Sequence, residues 1–143
     1  MRLTRYEQRL RRRARARVLQ ALYAWDVTSR GSLLTTAQRV WDDLSVGSEE
    51  RDFAAPLVRA ISSRREELDV LLSDVTTNWR LERLGAIERS LLRLGAVELA
   101  RDDTPPRVAI QEAVRLAELF GSAESARFVN GVLDALARRM EKI

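Results

Sequence analysis

The chain has 143 residues, 45% of them hydrophobic, with only 6 glycines, 3 prolines and a net charge of +4. This length suffices for one domain with a hydrophobic core, and the apolar content excludes an intrinsically disordered chain. Because cysteine and histidine are absent, disulfides, thiol or imidazole catalysis and cysteine- or histidine-ligated metals are excluded. No pairing of acidic residues or glycine-rich phosphate loop indicates another enzyme. We therefore expect a non-enzymatic binding protein with no metal and no cofactor.

The positive charge is concentrated at the N-terminus. Residues 1–17 contain eight arginines and one acidic residue, Glu7, for a net charge of +7. The rest of the chain carries 17 basic and 20 acidic side chains, for a net charge of −3. A basic segment on a weakly acidic body predicts a polyanionic partner. No apolar run has the length of a secretion signal or a membrane span, so we expect a cytoplasmic protein with no membrane contact.

Apolar residues recur every three or four positions, and period-two alternation is absent, which predicts an all-α fold. The predicted helices cover residues 5–29, 35–44, 49–75, 79–84, 86–100, 107–120 and 123–140. These seven helices are expected to form two small bundles around a shared first helix. The single domain divides into a basic N-terminal arm at residues 1–10, a bundle at about 11–78 and a second bundle at about 79–143.

Helix boundaries are marked by local signals. Ser48, which precedes two glutamates, is predicted to cap the third helix. Pro56 lies inside that helix and should kink or split it. Gly121 is typical of a helix C-terminus, and Ser122 is predicted to cap the last helix.

The first helix has a second face that does not belong to its apolar stripe. Arg12, Arg15, Leu19 and Tyr23 share this face at helical spacing. Arginines suit phosphates, and an aromatic ring suits unpaired bases, so the face is a candidate RNA-binding surface. The alternative is that Leu19 and Tyr23 pack against the second bundle while the arginines are solvated.

Residues in the last helix also depart from the apolar pattern. Phe128 lies at the edge of the apolar stripe, where it is either an exposed stacking platform or a peripheral core residue. Asn130 and Gly131 are unfavourable in the middle of a helix. They predict a specific hydrogen bond from Asn130 and a close helix approach at Gly131.

Two carboxylates, Glu88 and Glu98, fall within the apolar arc of the helix at residues 86–100. A carboxylate in such a position is costly unless it is paired. Glu88 lies near the N-terminus of the helix and is predicted to face a partner protein. Glu98 is predicted to pair internally with an arginine.

Four segments of the sequence, in chain order, resemble the motifs of the NusB family. The first combines RRRAR at residues 11–15 with QALYAW at 20–25, and the second combines NW at 78–79 with LGAIER at 84–89. The third is Pro105 with VAI at 108–110 and EAV at 112–114, and the fourth is FVNGVLD at 128–134. The resemblance implies two three-helix bundles. It also implies a transcription antitermination factor that binds boxA RNA together with the ribosomal protein NusE. Such a factor helps the RNA polymerase antitermination complex to read through terminators, notably in ribosomal RNA operons, and some members form a homodimer.

The resemblance carries roles onto matching positions. The RNA-binding residues are Arg11, Arg12, Arg13, Arg15, Tyr23 and Phe128, and the residue that contacts NusE is Glu88. Glu124 stands where the family can have aspartate, and the segment at residues 29–47 receives no role. Two alternatives remain: a protein adaptor that does not bind RNA specifically, and an RNA-guiding domain of a ribosomal RNA methyltransferase. We expect no room for a methyltransferase domain beside the helical one, because the chain has 143 residues.

Overall fold

The computed structural model describes residues 2–28, 31–76 and 80–143. Six α-helices and one short 3₁₀ helix lie in these ranges, and no strand does. The helices are α1 (Arg5–Thr28), α2 (Leu33–Asp43), α3 (Ser48–Val75), α4 (Ala86–Ala100), α5 (Pro106–Phe120) and α6 (Ala123–Arg139), with the 3₁₀ helix at Leu81–Arg83. The all-α prediction is therefore confirmed, and the helix ends that can be compared differ by at most two residues. The predicted helix end at Ser29, and Thr77, Asn78 and Trp79 in the predicted break and turn, lie outside the described residues.

The helices form two sets of three that share one apolar core. Helices α1, α2 and α3 pack on one another, as do α4, α5 and α6, and both α1 and α3 pack on α4. Residues 90–99 of α4 are all buried, because neighbouring helices cover this helix on every side. The central element is therefore α4, and the expectation that both bundles surround the first helix is wrong.

Of the three residues predicted to mark helix ends, Gly121 and Ser122 agree with the structure and Ser48 does not. The Ser122 hydroxyl accepts a hydrogen bond from the Ser125 backbone N–H at 3.1 Å, as predicted for the start of α6. Ser48 is not a cap, because it is the first residue of α3 and Gly47 occupies the cap position without a side-chain bond.

Helix α3 is distorted eight residues after its proline. Pro56 lies within α3, but the non-helical backbone angles occur at Arg64 (φ −116°, ψ 16°). The two preceding residues are Ser62 and Ser63, and the Ser63 hydroxyl donates to the Ala60 carbonyl at 3.3 Å. Serine bonds of this kind bend helices. The break therefore coincides with the serine pair, and the prediction that Pro56 splits the helix is wrong.

A close contact between helices occurs at Gly95 of α4. A Cβ atom at Gly95 would lie 2.8 Å from a methyl carbon of Leu133 on α6, and Leu133 is fully buried. At Gly131 a Cβ atom would meet nothing within 4 Å. The close approach predicted at Gly131 is therefore found at Gly95 instead.

These two glycines are expected to respond oppositely to alanine. Gly95→Ala should lower the free energy of unfolding by about 1–3 kcal/mol, because Leu133 must move within a filled core. Gly131→Ala should raise it by about 0.5–1 kcal/mol, because alanine favours the helix and the added methyl group meets no obstacle. Urea unfolding of the two variants checks both signs. A Gly95→Ala protein as stable as Gly131→Ala would contradict the close packing.

Candidate RNA- and partner-binding surfaces

Two ion pairs fix the position of α1 on α4. Arg15 pairs with Glu98 near the C-terminal end of α4, and Asp26 pairs with Arg89 near its N-terminal end. The two helices are therefore antiparallel. The arginine-rich half of α1 lies beside the C-terminal end of α4, and Tyr23 lies towards the other end.

Arg15 is an internal residue rather than part of the surface. Its side chain donates to both Glu98 oxygens at 2.8 and 2.9 Å and to the Thr104 hydroxyl at 3.5 Å. Arg15 is 3% exposed and Glu98 2%. The internal pair predicted for Glu98 is therefore confirmed. The position of Arg15 corrects its assignment as an RNA contact, because a guanidinium this deeply buried cannot reach a phosphate in this conformation.

The other three arginines of the RRRAR segment lie closer to solvent. Arg11 is half-buried and stacks on the Phe53 ring at 4.9 Å from its centroid. Arg12 and Arg13 are exposed, and each has a carboxylate from another helix beside it. Arg12 donates to Glu112 of α5 at 2.9 Å, and Arg13 lies 3.4 Å from Glu50 of α3.

A groove runs between the first turns of α1 and α5. It encloses about 700 Å³ and is open to solvent. Its lining includes arginines and apolar side chains together with three carboxylates: Leu3, Arg11, Arg12, Val108 and Arg115, and Glu7, Asp103 and Glu112. Cationic groups next to apolar side chains can hold an extended polyanion whose bases also need apolar contacts.

The two predicted aromatic contacts lie on different helices. Tyr23 is 44% exposed and shares the face of Arg12, eleven residues earlier, about 16 Å away along α1. Leu19 is buried, so the alternative that it packs internally is correct for Leu19 and not for Tyr23. Phe128 is half-buried and packs against the edge of the core.

Glu88 joins the N-termini of α4 and α6. Its carboxylate accepts a hydrogen bond from the Ser125 hydroxyl at 2.5 Å. It occupies the third position of α4, where negative charge is favoured by the helix dipole. A Cβ atom at Gly85 would collide with this carboxylate, so glycine at that position leaves room for it. Glu88 remains partly exposed.

An exposed apolar patch, Leu119 and Phe120, lies at the end of α5. Leu119 is 61% exposed and Phe120 47%. The next residue, Gly121, approaches Ser125, since a Cβ atom there would lie 2.8 Å from the Ser125 hydroxyl. The patch is therefore next to the Glu88–Ser125 pair. The patch was not among the predicted sites, although two large apolar residues before a terminal glycine were a usable signal.

The described residues contain neither a metal-ligand cluster nor a membrane-spanning helix. In the parts of the chain that the structure describes, no three acidic side chains are grouped to hold a metal ion. No helix in those parts has the length and apolar character needed to cross a bilayer. Both surfaces offer charge, hydrogen-bond acceptors and apolar area, which serve binding.

Comparison with known proteins identifies relatives along nearly the whole chain. Residues 12–138 match the NusB family. The transcription antitermination protein NusB of Anaeromyxobacter dehalogenans is 44% identical over 128 residues, covering 89% of both chains. That of Myxococcus xanthus is 42% identical over 140 residues, covering 92% of this chain and 97% of the relative.

Solved structures agree with the sequence relatives. The crystal form of T. maritima NusB superimposes with a TM-score of 0.84 and 32% identity, covering 92% of this chain and 95% of the other. A further match, with a TM-score of 0.81, 27% identity and coverage of 92% and 98%, comes from a crystal structure of the antitermination factors NusB and NusE with double-stranded RNA. With the helical fold, the four motifs and these matches in agreement, the chain belongs to the NusB family.

Proposed function

We propose that the chain is a transcription antitermination factor that binds boxA-type RNA together with NusE. In this role it promotes read-through by RNA polymerase in the cytoplasm, notably in ribosomal RNA operons. The observation that carries the proposal is the exposure of Arg12 and Arg13 on the first helix, with exposed Tyr23 on the same face as Arg12. Support comes from relatives named transcription antitermination proteins and from the similar structure solved with NusE and RNA.

The proposed RNA site combines phosphate contacts with base stacking. Arg12 and Arg13 neutralise backbone phosphates, with Arg11 at the edge of the groove. Tyr23 and Phe128 contact unstacked bases. Arg15 contributes indirectly, by holding α1 on α4 through Glu98. The protein acts by binding alone, without a catalytic step.

The proposed NusE site is centred on Glu88. Its carboxylate is already oriented by Ser125, so a basic partner group meets a fixed acceptor. The adjacent patch of Leu119 and Phe120 supplies apolar area, which protein interfaces combine with oriented polar groups.

The salt dependence of RNA binding tests the RNA site. Fluorescence anisotropy of a labelled single-stranded boxA-type RNA is measured over a salt series. Removing both phosphate contacts in Arg12→Ala/Arg13→Ala should make the slope of log K against log salt shallower by about 1.4, at about 0.7 per contact. The matched control, Arg39→Ala/Arg59→Ala, removes the same charge from two exposed positions on α2 and α3. Equal slopes for the two double variants would contradict the proposed RNA site.

The same assay with NusE tests the partner site. NusE is expected to strengthen RNA binding by the wild type and to have less effect on Glu88→Ala. An unchanged NusE effect in Glu88→Ala would rule out the Glu88 site and leave the RNA site untouched.

A protein adaptor without specific RNA binding is the second candidate. The observation in its favour is that each arginine of the RRRAR segment already has an internal partner: Phe53, Glu112, Glu50 and Glu98. RNA affinity that is the same for boxA-type and scrambled RNA, with NusE binding retained, would favour the adaptor.

A further inference from the structure

The arginines of α1 are arranged around two carboxylates in the same way. In the first group, Glu112 of α5 lies between exposed Arg12 and buried Arg15. Arg12 Nε is 2.9 Å from Glu112 Oε1, and an Arg15 terminal nitrogen is 3.9 Å from the same oxygen. The side chain of Glu112 is 13% exposed, against 49% for Arg12.

The second group repeats this order on the other side of the helix. Glu50 of α3 lies between Arg13 and Arg17. Arg13 Nε is 3.4 Å from one Glu50 oxygen, and Arg17 Nε is 2.9 Å from the other. Glu50 is 16% exposed, Arg17 26% and Arg13 50%. An outer arginine, a shielded carboxylate and an inner arginine thus occur twice.

This arrangement allows each outer arginine to change partner at low cost. A shielded carboxylate that loses its only cation is strongly destabilised. Glu112 is not left alone when Arg12 turns towards solvent, because Arg15 stays beside it, held by two bonds to Glu98. Glu50 is retained by Arg17 in the same manner. The outer arginines, Arg12 and Arg13, can therefore leave their carboxylates for another anion, whereas the inner ones, Arg15 and Arg17, stay in place.

We propose that Glu112 and Glu50 are internal counter-ions that compete with RNA phosphates for Arg12 and Arg13, and thereby set the RNA affinity of α1. This inference rests on the proposed RNA-binding function. A phosphate that approaches an outer arginine meets a cation whose charge a carboxylate already offsets, so phosphate contacts alone bind weakly. An RNA that also provides base contacts at the aromatic residues overcomes this competition, which favours sequence-preferring binding over binding to any polyanion.

The test is a gain of affinity in Glu112→Gln. Anisotropy with labelled single-stranded RNA, boxA-type and scrambled, should show binding about two- to fivefold tighter than wild type in low salt, the range expected of a partly exposed ion pair. The gain should shrink as salt screens the charges. The control is Glu118→Gln, the same charge change on an exposed residue of α5. Glu118 has no ion pair in the described ranges. Glu50→Gln should act likewise through Arg13.

A double-mutant cycle identifies the route of the effect. In an Arg12→Ala background, Glu112→Gln should add no more than Glu118→Gln does, because the competing arginine is gone. Structural damage cannot mimic the expected result, since it lowers affinity, and circular dichroism melting checks that each variant is folded.

Three outcomes separate the inference from the function on which it rests. Equal affinities of Glu112→Gln and Glu118→Gln, with Arg12→Ala still weakening binding, overturn the inference alone. Weaker binding by folded Glu112→Gln also overturns it, because Glu112 would then orient Arg12 rather than compete for it. Absence of RNA binding by the wild type overturns the proposed function and the inference together.

Discussion

Glu98→Ala is expected to lower the free energy of unfolding by about 3–5 kcal/mol, the range for removing one partner of a buried ion pair. The reason is that Arg15 keeps its charge, is 3% exposed and loses two short hydrogen bonds to Glu98. The nearby Thr104 hydroxyl, which donates to Glu98 at 3.2 Å, loses its acceptor as well. Urea unfolding followed by helical circular dichroism measures the change. With a typical domain stability of about 5–15 kcal/mol, the variant is close to unfolding.

Two control variants test whether the loss of stability comes from the burial of the ion pair. Asp134→Ala removes one partner of an exposed pair with Arg138, one turn apart on α6, and should cost less than about 1 kcal/mol. The double variant Arg15→Met/Glu98→Leu removes both buried charges and should recover most of the loss, because no unpaired charge remains. A loss in Glu98→Ala no larger than in Asp134→Ala would mean that solvent reaches the pair.

Asp26→Asn is expected to lower the free energy of unfolding by about 1.5–3 kcal/mol at neutral pH, the range for hydrogen bonds to charged groups. Asp26 accepts bonds from Arg89 and from Arg93, at 2.9 and 3.3 Å on the same oxygen. It therefore connects α1 to α4 at the opposite end of α1 from Arg15. A neutral amide cannot replace the carboxylate between two guanidinium groups.

The pH dependence of this difference gives an independent check. Hydrogen bonds from Arg89, then the charges of Arg89 and Arg93, hold the pKa of the Asp26 carboxyl below its usual value. A lowered pKa in the folded state contributes stability that is complete above the unfolded value of about 3.9 and is lost as the pH falls through the folded value. The difference in the free energy of unfolding between wild type and Asp26→Asn should therefore be constant from about pH 5 to 7. It should become smaller below about pH 4.

Urea midpoints of both proteins between pH 2.5 and 7 measure this gap. Other carboxyls with lowered pKa values, Glu7 and Glu67, destabilise both proteins equally in acid and cancel in the difference. A gap that keeps its full size at the lowest pH would show that Asp26 stabilises the fold through packing rather than through its charge.

The sequence by itself determined the helices, the all-α class and the family. Apolar periodicity and caps act within a few residues of the chain, which is why the predicted helix ends that can be compared agree closely with the structure. The prediction that Glu98 has an internal arginine partner was also available, since a carboxylate within an apolar helix face requires one. The same local reasoning failed at Pro56, because the backbone of α3 departs from helical angles at Arg64 instead.

Only the tertiary structure decided which residues meet. Arg12 and Arg15 share a helix face, yet Arg15 is buried against Glu98, 83 residues away, and Arg12 meets Glu112, 100 residues away, at the surface. Helical spacing predicts the direction in which a side chain points. It does not predict which residues of another helix the side chain meets in that direction. The close contact at Gly95 rather than Gly131 has the same origin, because α6 approaches α4 at a point that neither helix encodes alone. Exposure, and with it the set of residues available to RNA, is fixed by how the helices pack.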